Sequence, residues 1–142
     1  MRIVFDMDGT IADLYGVNNW LTYLENENTH PYEVASPMVN MSRLARLLNR
    51  LIERGHEVCV LSWTSRTGSP DYCERIAQVK YKWLAIHLKS VNFTSIEIVP
   101  YGTPKVGEGI LFDDEEKNRN TWGEGAYEPT EIFNVLKRLL NE

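Results

Sequence analysis

Four short apolar runs, each stopping at residues able to do chemistry, constrain this chain more than any other feature. Ile3–Phe5 runs into Asp6 and Asp8, and "EVCVLS" (Glu57–Ser62) ends in a serine. "SIEIVPYG" (Ser95–Gly102) is followed by Lys105, and "GILFDD" (Gly109–Asp114) ends in two acids. Short continuous apolar runs bounded by turn residues mark strands buried on both faces of a parallel sheet. Helical patterns separate them. Leu44, Leu47, Leu48, Leu51 and Ile52 recur at three and four residues within Met38–Arg54, and Gly55 follows as a C-terminal stop. Tyr72, Ile76, Val79, Trp83 and Ile86 share one face of a helix over Asp71–Leu88, and a last helix covers Glu131–Leu140. Strands alternating with helices predict a three-layer α/β/α domain around a parallel sheet. Ligands of such sheets bind outside the carboxyl ends of the strands. One edge would therefore gather Asp6, Asp8, Ser62, Lys105, Asp113 and Asp114.

The 142 residues suit one domain spanning 1–142, with neither repeat nor linker. Leu14–Pro37 departs from the alternation. It places Trp20, Leu21, Tyr23 and Leu24 at helix-like spacing before a polar loop, and reads as a small insertion at about 14–37. No apolar run approaches the ~18 residues of a membrane span. The N-terminus enters a strand at once, so no signal peptide is expected, and two cysteines without a CxxC favour a reducing cytoplasm. The net charge of −5 argues against a general nucleic-acid surface, which would be basic.

Four carboxylates in one crevice are too much negative charge to stand uncompensated. Hard oxygen ligands in small number, with room for water and phosphate oxygens, suit Mg²⁺. Such a cation would make the crevice attractive to a phosphoryl group, and Ser62 and Lys105 could bind its oxygens. A carboxylate there could also act as nucleophile. Thr64 and Ser65 compete with Ser62 for the hydroxyl role, which Ser62 takes because it directly ends an apolar run. Lys80 and Lys82 compete with Lys105, but both fit a solvated helix face. Trp63 and Arg66, next to Ser62, either touch a substrate or are ordinary packed and solvated loop residues. The "WGEGAY" stretch, Trp122–Tyr127, is either a loop over the site or an ordinary connection.

The ordered set "DMDGT" (Asp6–Thr10), Ser62 after "VCVL", Lys105 and "ILFDD" resembles the haloacid dehalogenase (HAD) superfamily of phosphohydrolases. Receiver domains use a similar set, but in them the acidic pair comes first; here it comes last. The resemblance implies a Rossmann-like HAD core with at most a small cap, supplied by residues 14–37. It implies Asp6 as nucleophile and Asp8 as general acid and base, with the Asp8 backbone carbonyl on Mg²⁺. Asp113 and Asp114 would hold the metal, directly or through water. The start "DMDGTIADL", the short aromatic insertion and "KYKWL" (Lys80–Leu84) are similar to the 5′(3′)-deoxyribonucleotidase branch. Trp20, Tyr23 and Tyr32 either stack on a base or pack as the core of an amphipathic segment. The expected activity is Mg²⁺-dependent hydrolysis of a small phosphomonoester, nucleoside monophosphates included, through an aspartyl-phosphate. Two rivals are a 3′-phosphatase on nucleic-acid ends and a non-catalytic phosphate- or partner-binding module.

Overall fold

The computed structural model describes residues 1–142. The chain begins with β1 (Arg2–Phe5), β2 (Ala12–Asp13), α1 (Trp20–Glu25), α2 (His30–Val34) and β3 (Ser36–Pro37). It continues with α3 (Met41–Glu53), β4 (Glu57–Trp63), α4 (Pro70–His87) and β5 (Ser95–Val99). Last come β6 (Ile110–Phe112), α5 (Glu116–Trp122), β7 (Ala126–Tyr127), a 3₁₀ turn (Pro129–Glu131) and α6 (Ile132–Leu140). Five strands form a parallel sheet in the order β5-β4-β1-β6-β7. The four expected strands are all present, β1 and β4 one residue longer than expected and β5 and β6 a few residues shorter, and the fold class holds.

Register explains why the chemical residues meet. Phe5 lies opposite Val60 of β4 and Phe112 of β6, so Asp6 emerges beside Asp113, with Ser62 two residues past the β4 pairing. The Asp6 amide donates to the Phe112 carbonyl at 2.9 Å, which extends the ladder to Asp6 itself. Strand order reverses direction at β1, since β4 and β5 lie to one side of it and β6 and β7 to the other. A crevice opens at such a switch point, outside the strand ends.

The two faces of the sheet are covered unequally. Ile3, Phe5, Val58, Val60, Ile110 and Phe112 alternate onto one face and join Leu44, Leu48 and Leu51 of α3, Trp83 and Leu84 of α4, and Val135 and Leu136 of α6. Val4, Cys59 and Leu111 point the other way, where the one buried helical apolar partner is Trp122 of α5. Three helices therefore back one face, and one short helix backs the other. Asn40 caps α3 by accepting from the Arg43 amide at 3.0 Å, and Ser69 caps α4 by accepting from the Tyr72 amide at 3.2 Å.

The segment between Leu14 and Pro37 is held at its base by antiparallel pairing of β2 with β3. Leu14 and Tyr32 pack on Tyr72 and Ile76 of α4. Glu27 accepts from the Ser69 hydroxyl at 2.6 Å, and Trp83 donates its indole N–H to the Ala35 carbonyl at 2.8 Å. Helix α1 buries none of its residues.

Three sequence expectations are corrected. The buried stripe of α4 is Tyr72, Ile76, Lys80, Trp83 and Leu84, while Ile86 is 72% exposed. The real stripe is rotated away from Val79 and Ile86 toward Lys80, which is buried rather than solvated. "WGEGAY" neither caps the site nor merely connects, because Ala126 and Tyr127 form the fifth strand and Trp122 closes α5. Finally, Met38 lies outside α3, which starts after its Asn40 cap.

Candidate active site

The loop after β1 alternates like a strand for three residues. Met7 turns into the core, so Asp6 and Asp8 face outward together. The Thr10, Ile11 and Ala12 amides all donate to the Met7 carbonyl at 2.9–3.0 Å, curling the loop tightly. Gly9 has φ of +79°, and a β-carbon there would lie 2.3 Å from Asp114 Oδ2. Only glycine lets the second acidic pair come this close.

Asp6 is 7% exposed and held from two sides. Lys105 Nζ donates to its Oδ1 at 3.0 Å, and the Thr10 hydroxyl donates to its Oδ2 at 3.1 Å. Lys105 also donates to Asp113 Oδ2 at 2.7 Å. Burial works to deprotonate this lysine, yet Asp6 and Asp113 outweigh it and hold its pKa above the ordinary value. The Trp63 ring lies 5.3 Å from the same ammonium, and its indole N–H donates to the Thr103 carbonyl at 2.9 Å, tethering the Lys105 loop to the end of β4.

Asp113 is fully buried. Its Oδ1 accepts from the Glu115 amide at 2.9 Å, and its Oδ2 accepts from Lys105 and, at 3.2 Å, from the Asn118 amide group. Arg119 of α5 adds a bond to the Asp113 carbonyl at 3.0 Å. Asp114 has far less support, with one hydroxyl contact of 3.4 Å from Thr10. Burial first, then the neighbouring Asp6 and Asp113, push its carboxyl up to about 8. Oxygens of Asp6, Asp113 and Asp114 lie within 4.8 Å of one another.

Asp8 takes no part in that trio. Its Oδ2 accepts from Lys80 Nζ at 2.7 Å. The same ammonium donates to Ser62 Oγ at 2.8 Å and to the Trp63 carbonyl at 2.7 Å. Four carboxylates thus face two buried ammonium groups, a formal excess of two negative charges, and Asp114 alone has no cationic partner. One divalent cation would balance the excess, and the donors are all oxygen, so the residues fit Mg²⁺.

All six sequence candidates converge here. Ser62 is 1% exposed, bonded to Lys80 and absent from the cleft lining, whereas Thr64 lines the open cleft. Sequence reasoning sets Lys80 aside as solvated and misses Asn118 and the contacts of Thr10. Lys80 carried one signal, its place on the α4 stripe; Asn118 carried none. The cleft above Asp6 and Asp8 has a volume of about 310 Å³ and is walled by Tyr15, Trp20 and Tyr32 on one side and by Trp63, Arg66 and Tyr101 on the other. Tyr23 is not among its walls and stacks on His30 instead, at 4.9 Å.

No family model and no curated protein matches the chain. Among solved structures the chain is similar to the D,D-heptose 1,7-bisphosphate phosphatase of Burkholderia thailandensis. The two share 13% identity with a TM-score of 0.50, and the likeness covers 99% of each chain. It is a likeness of fold: the chain has a Rossmann-like three-layer α/β/α fold. It does not reach down to the deoxyribonucleotidase branch. No helix is long and apolar enough to cross a membrane.

Proposed function

We propose that this chain is a HAD-type phosphomonoester hydrolase that depends on Mg²⁺ and works through an aspartyl-phosphate on Asp6. The observation that carries the reading is the fixed Asp6 carboxylate, clamped by Lys105 and Thr10 on the cleft floor, with Asp114 uncompensated beside it. A carboxylate held in this way is oriented for attack before substrate arrives.

Asp6 attacks phosphorus, and the ester oxygen departs toward the cleft. Asp8 also lines the cleft and gives that oxygen its proton. In the second half Asp8 takes a proton from the water that cleaves the aspartyl-phosphate, which frees phosphate and restores Asp6. Lys105 offsets charge on the phosphoryl oxygens, and Ser62 or Thr64 donates to them. Asp6, Asp114 and the Asp8 backbone carbonyl would hold Mg²⁺, with Asp113 as a braced neighbour whose oxygens are already committed. The bound ion supplies positive charge that relieves repulsion between phosphoryl oxygens and the acids. Residues 14–37 serve as a small cap over one single domain.

The aromatic walls favour a leaving group with a flat ring, and a nucleoside fits that description. Hydrolysis of nucleoside monophosphates, followed as phosphate release with Mg²⁺ and with a chelator, tests the reading. Activity should vanish on chelation and return with Mg²⁺, and Asp6→Asn should abolish it while folding normally. Turnover surviving exhaustive chelation, or full activity in Asp6→Asn, would remove the mechanism.

A further inference from the structure

Lys80 is an anomaly that the chemistry above does not use. It lies in the middle of α4, with its side chain 2% exposed, and it does not line the cleft. A lysine ammonium has three N–H donors. Here three acceptors meet it at 2.7, 2.8 and 2.7 Å: Asp8 Oδ2, Ser62 Oγ and the Trp63 carbonyl. No donor is left for a substrate.

We propose that Lys80 is a positioning residue that sets the orientation of Asp8 and Ser62 together. This inference rests on the hydrolase reading. An acid–base carboxylate that serves two half-reactions must present one oxygen at one place twice. Lys80 fixes Asp8 Oδ2, which leaves Oδ1 as the working oxygen and stops the carboxylate from rotating. On Ser62 the lysine occupies an oxygen lone pair and so turns the hydroxyl proton away from itself. The three anchor points belong to the loop after β1 and the end of β4, so one side chain of α4 locks two strand ends in register. Lys105 does the equivalent for Asp6 and Asp113, which gives each acid of the DxD pair its own lysine.

The test is a double-mutant cycle in the full chain with Mg²⁺, using Lys80→Gln, Asp8→Asn and the pair. Lys80→Gln keeps donors and avoids leaving Asp8 against a purely apolar group. It should lower kcat on a nucleoside monophosphate by about 10- to 100-fold, a partial loss of the ~10²–10⁴ that a positioned acid–base group is worth. KM should stay within about 3-fold, because Lys80 does not touch substrate. In the Asp8→Asn background the same change should cost several-fold less than in wild type, since one of the two groups it positions is already disabled and only the share through Ser62 remains. Stabilisation by BeF₃⁻ with Mg²⁺, read as a shift in Tm, should match wild type in Lys80→Gln because the Asp6 side of the site is intact.

An equal loss in both backgrounds, a rise in KM alone, or a kcat within about 3-fold of wild type overturns the proposal. So does loss of the BeF₃⁻ shift, which would make Lys80 a general support of the whole site. Failure of the hydrolase reading looks different, because wild type itself would then release no phosphate.

Discussion

Gly9→Ala isolates the contact between the two acidic pairs. Two costs arise at this position. At φ of +79° an alanine pays the left-handed penalty of ~1–2 kcal/mol. Its β-carbon would also stand 2.3 Å from Asp114 Oδ2 and 2.7 Å from Asp114 Cγ, so that side chain must swing out of the trio. Gly55 provides the control, with φ of +90° and nothing within 4 Å of an added β-carbon. Gly55→Ala should therefore lose about 1–2 kcal/mol in urea unfolding and keep normal phosphatase activity. Gly9→Ala should lose a comparable amount, because a displaced Asp114 gains water while the backbone stays strained. Its Mg²⁺ requirement should change sharply, with the half-saturating concentration rising by about 10-fold or more, the ~1.4 kcal/mol expected from misplacing one charged ligand. Mg²⁺ titrations of phosphate release on both variants decide the matter. An unchanged Mg²⁺ requirement in Gly9→Ala, or an equal rise in Gly55→Ala, would refute the idea that the glycine exists to admit Asp114.

Three further outcomes follow from the same geometry. Asp114 binds its proton more tightly folded than unfolded, so its contribution to metal-free stability is favourable at low pH and lost as pH rises from about 4 toward 8. Melting of metal-free protein across that range should show the decline, Asp114→Asn should flatten it, and Mg²⁺ should stabilise wild type more at pH 8 than at pH 5. Lys105→Met leaves Asp6 and Asp113 buried without their cation, and should cost about 3–5 kcal/mol in chemical unfolding as well as activity; a loss below about 1 kcal/mol would contradict the paired geometry. Trp20→Leu should raise KM for a nucleoside monophosphate by about 5- to 150-fold, the range set by ~1–3 kcal/mol of stacking, and leave glycerol phosphate unaffected. Equal effects on both substrates would place Trp20 outside the substrate path.

The sheet was legible because buried parallel strands write themselves as apolar runs, and their terminal residues named the convergent edge. Register then did what no sequence motif states, bringing Asp6 beside Asp113 across 107 positions of chain. Lys80 was misread for a physical reason. Its flanking residues Ile76 and Leu84 are buried, but a lysine on a helix is normally solvated, and only three acceptors from two other segments make burial tolerable. Ala126–Tyr127 escaped notice because two residues carry no periodicity. Tyr23 and Ile86 were assigned by spacing alone, and spacing does not say which side of a short helix finds a partner.

The lightly backed face of the sheet has a consequence for how activity is lost. Its seven-residue α5 is pinned by Trp122 and carries Asn118 and Arg119, the two side chains that brace Asp113. A short helix with so little apolar anchorage is a candidate for sub-global opening, well below the free energy of complete unfolding. Amide hydrogen exchange should find α5 less protected than α3 and α6. On warming, phosphate release should fall before the far-ultraviolet signal does, as the brace behind the acids lets go while the main core stands. The helix that covers least would then determine the temperature at which the molecule stops working.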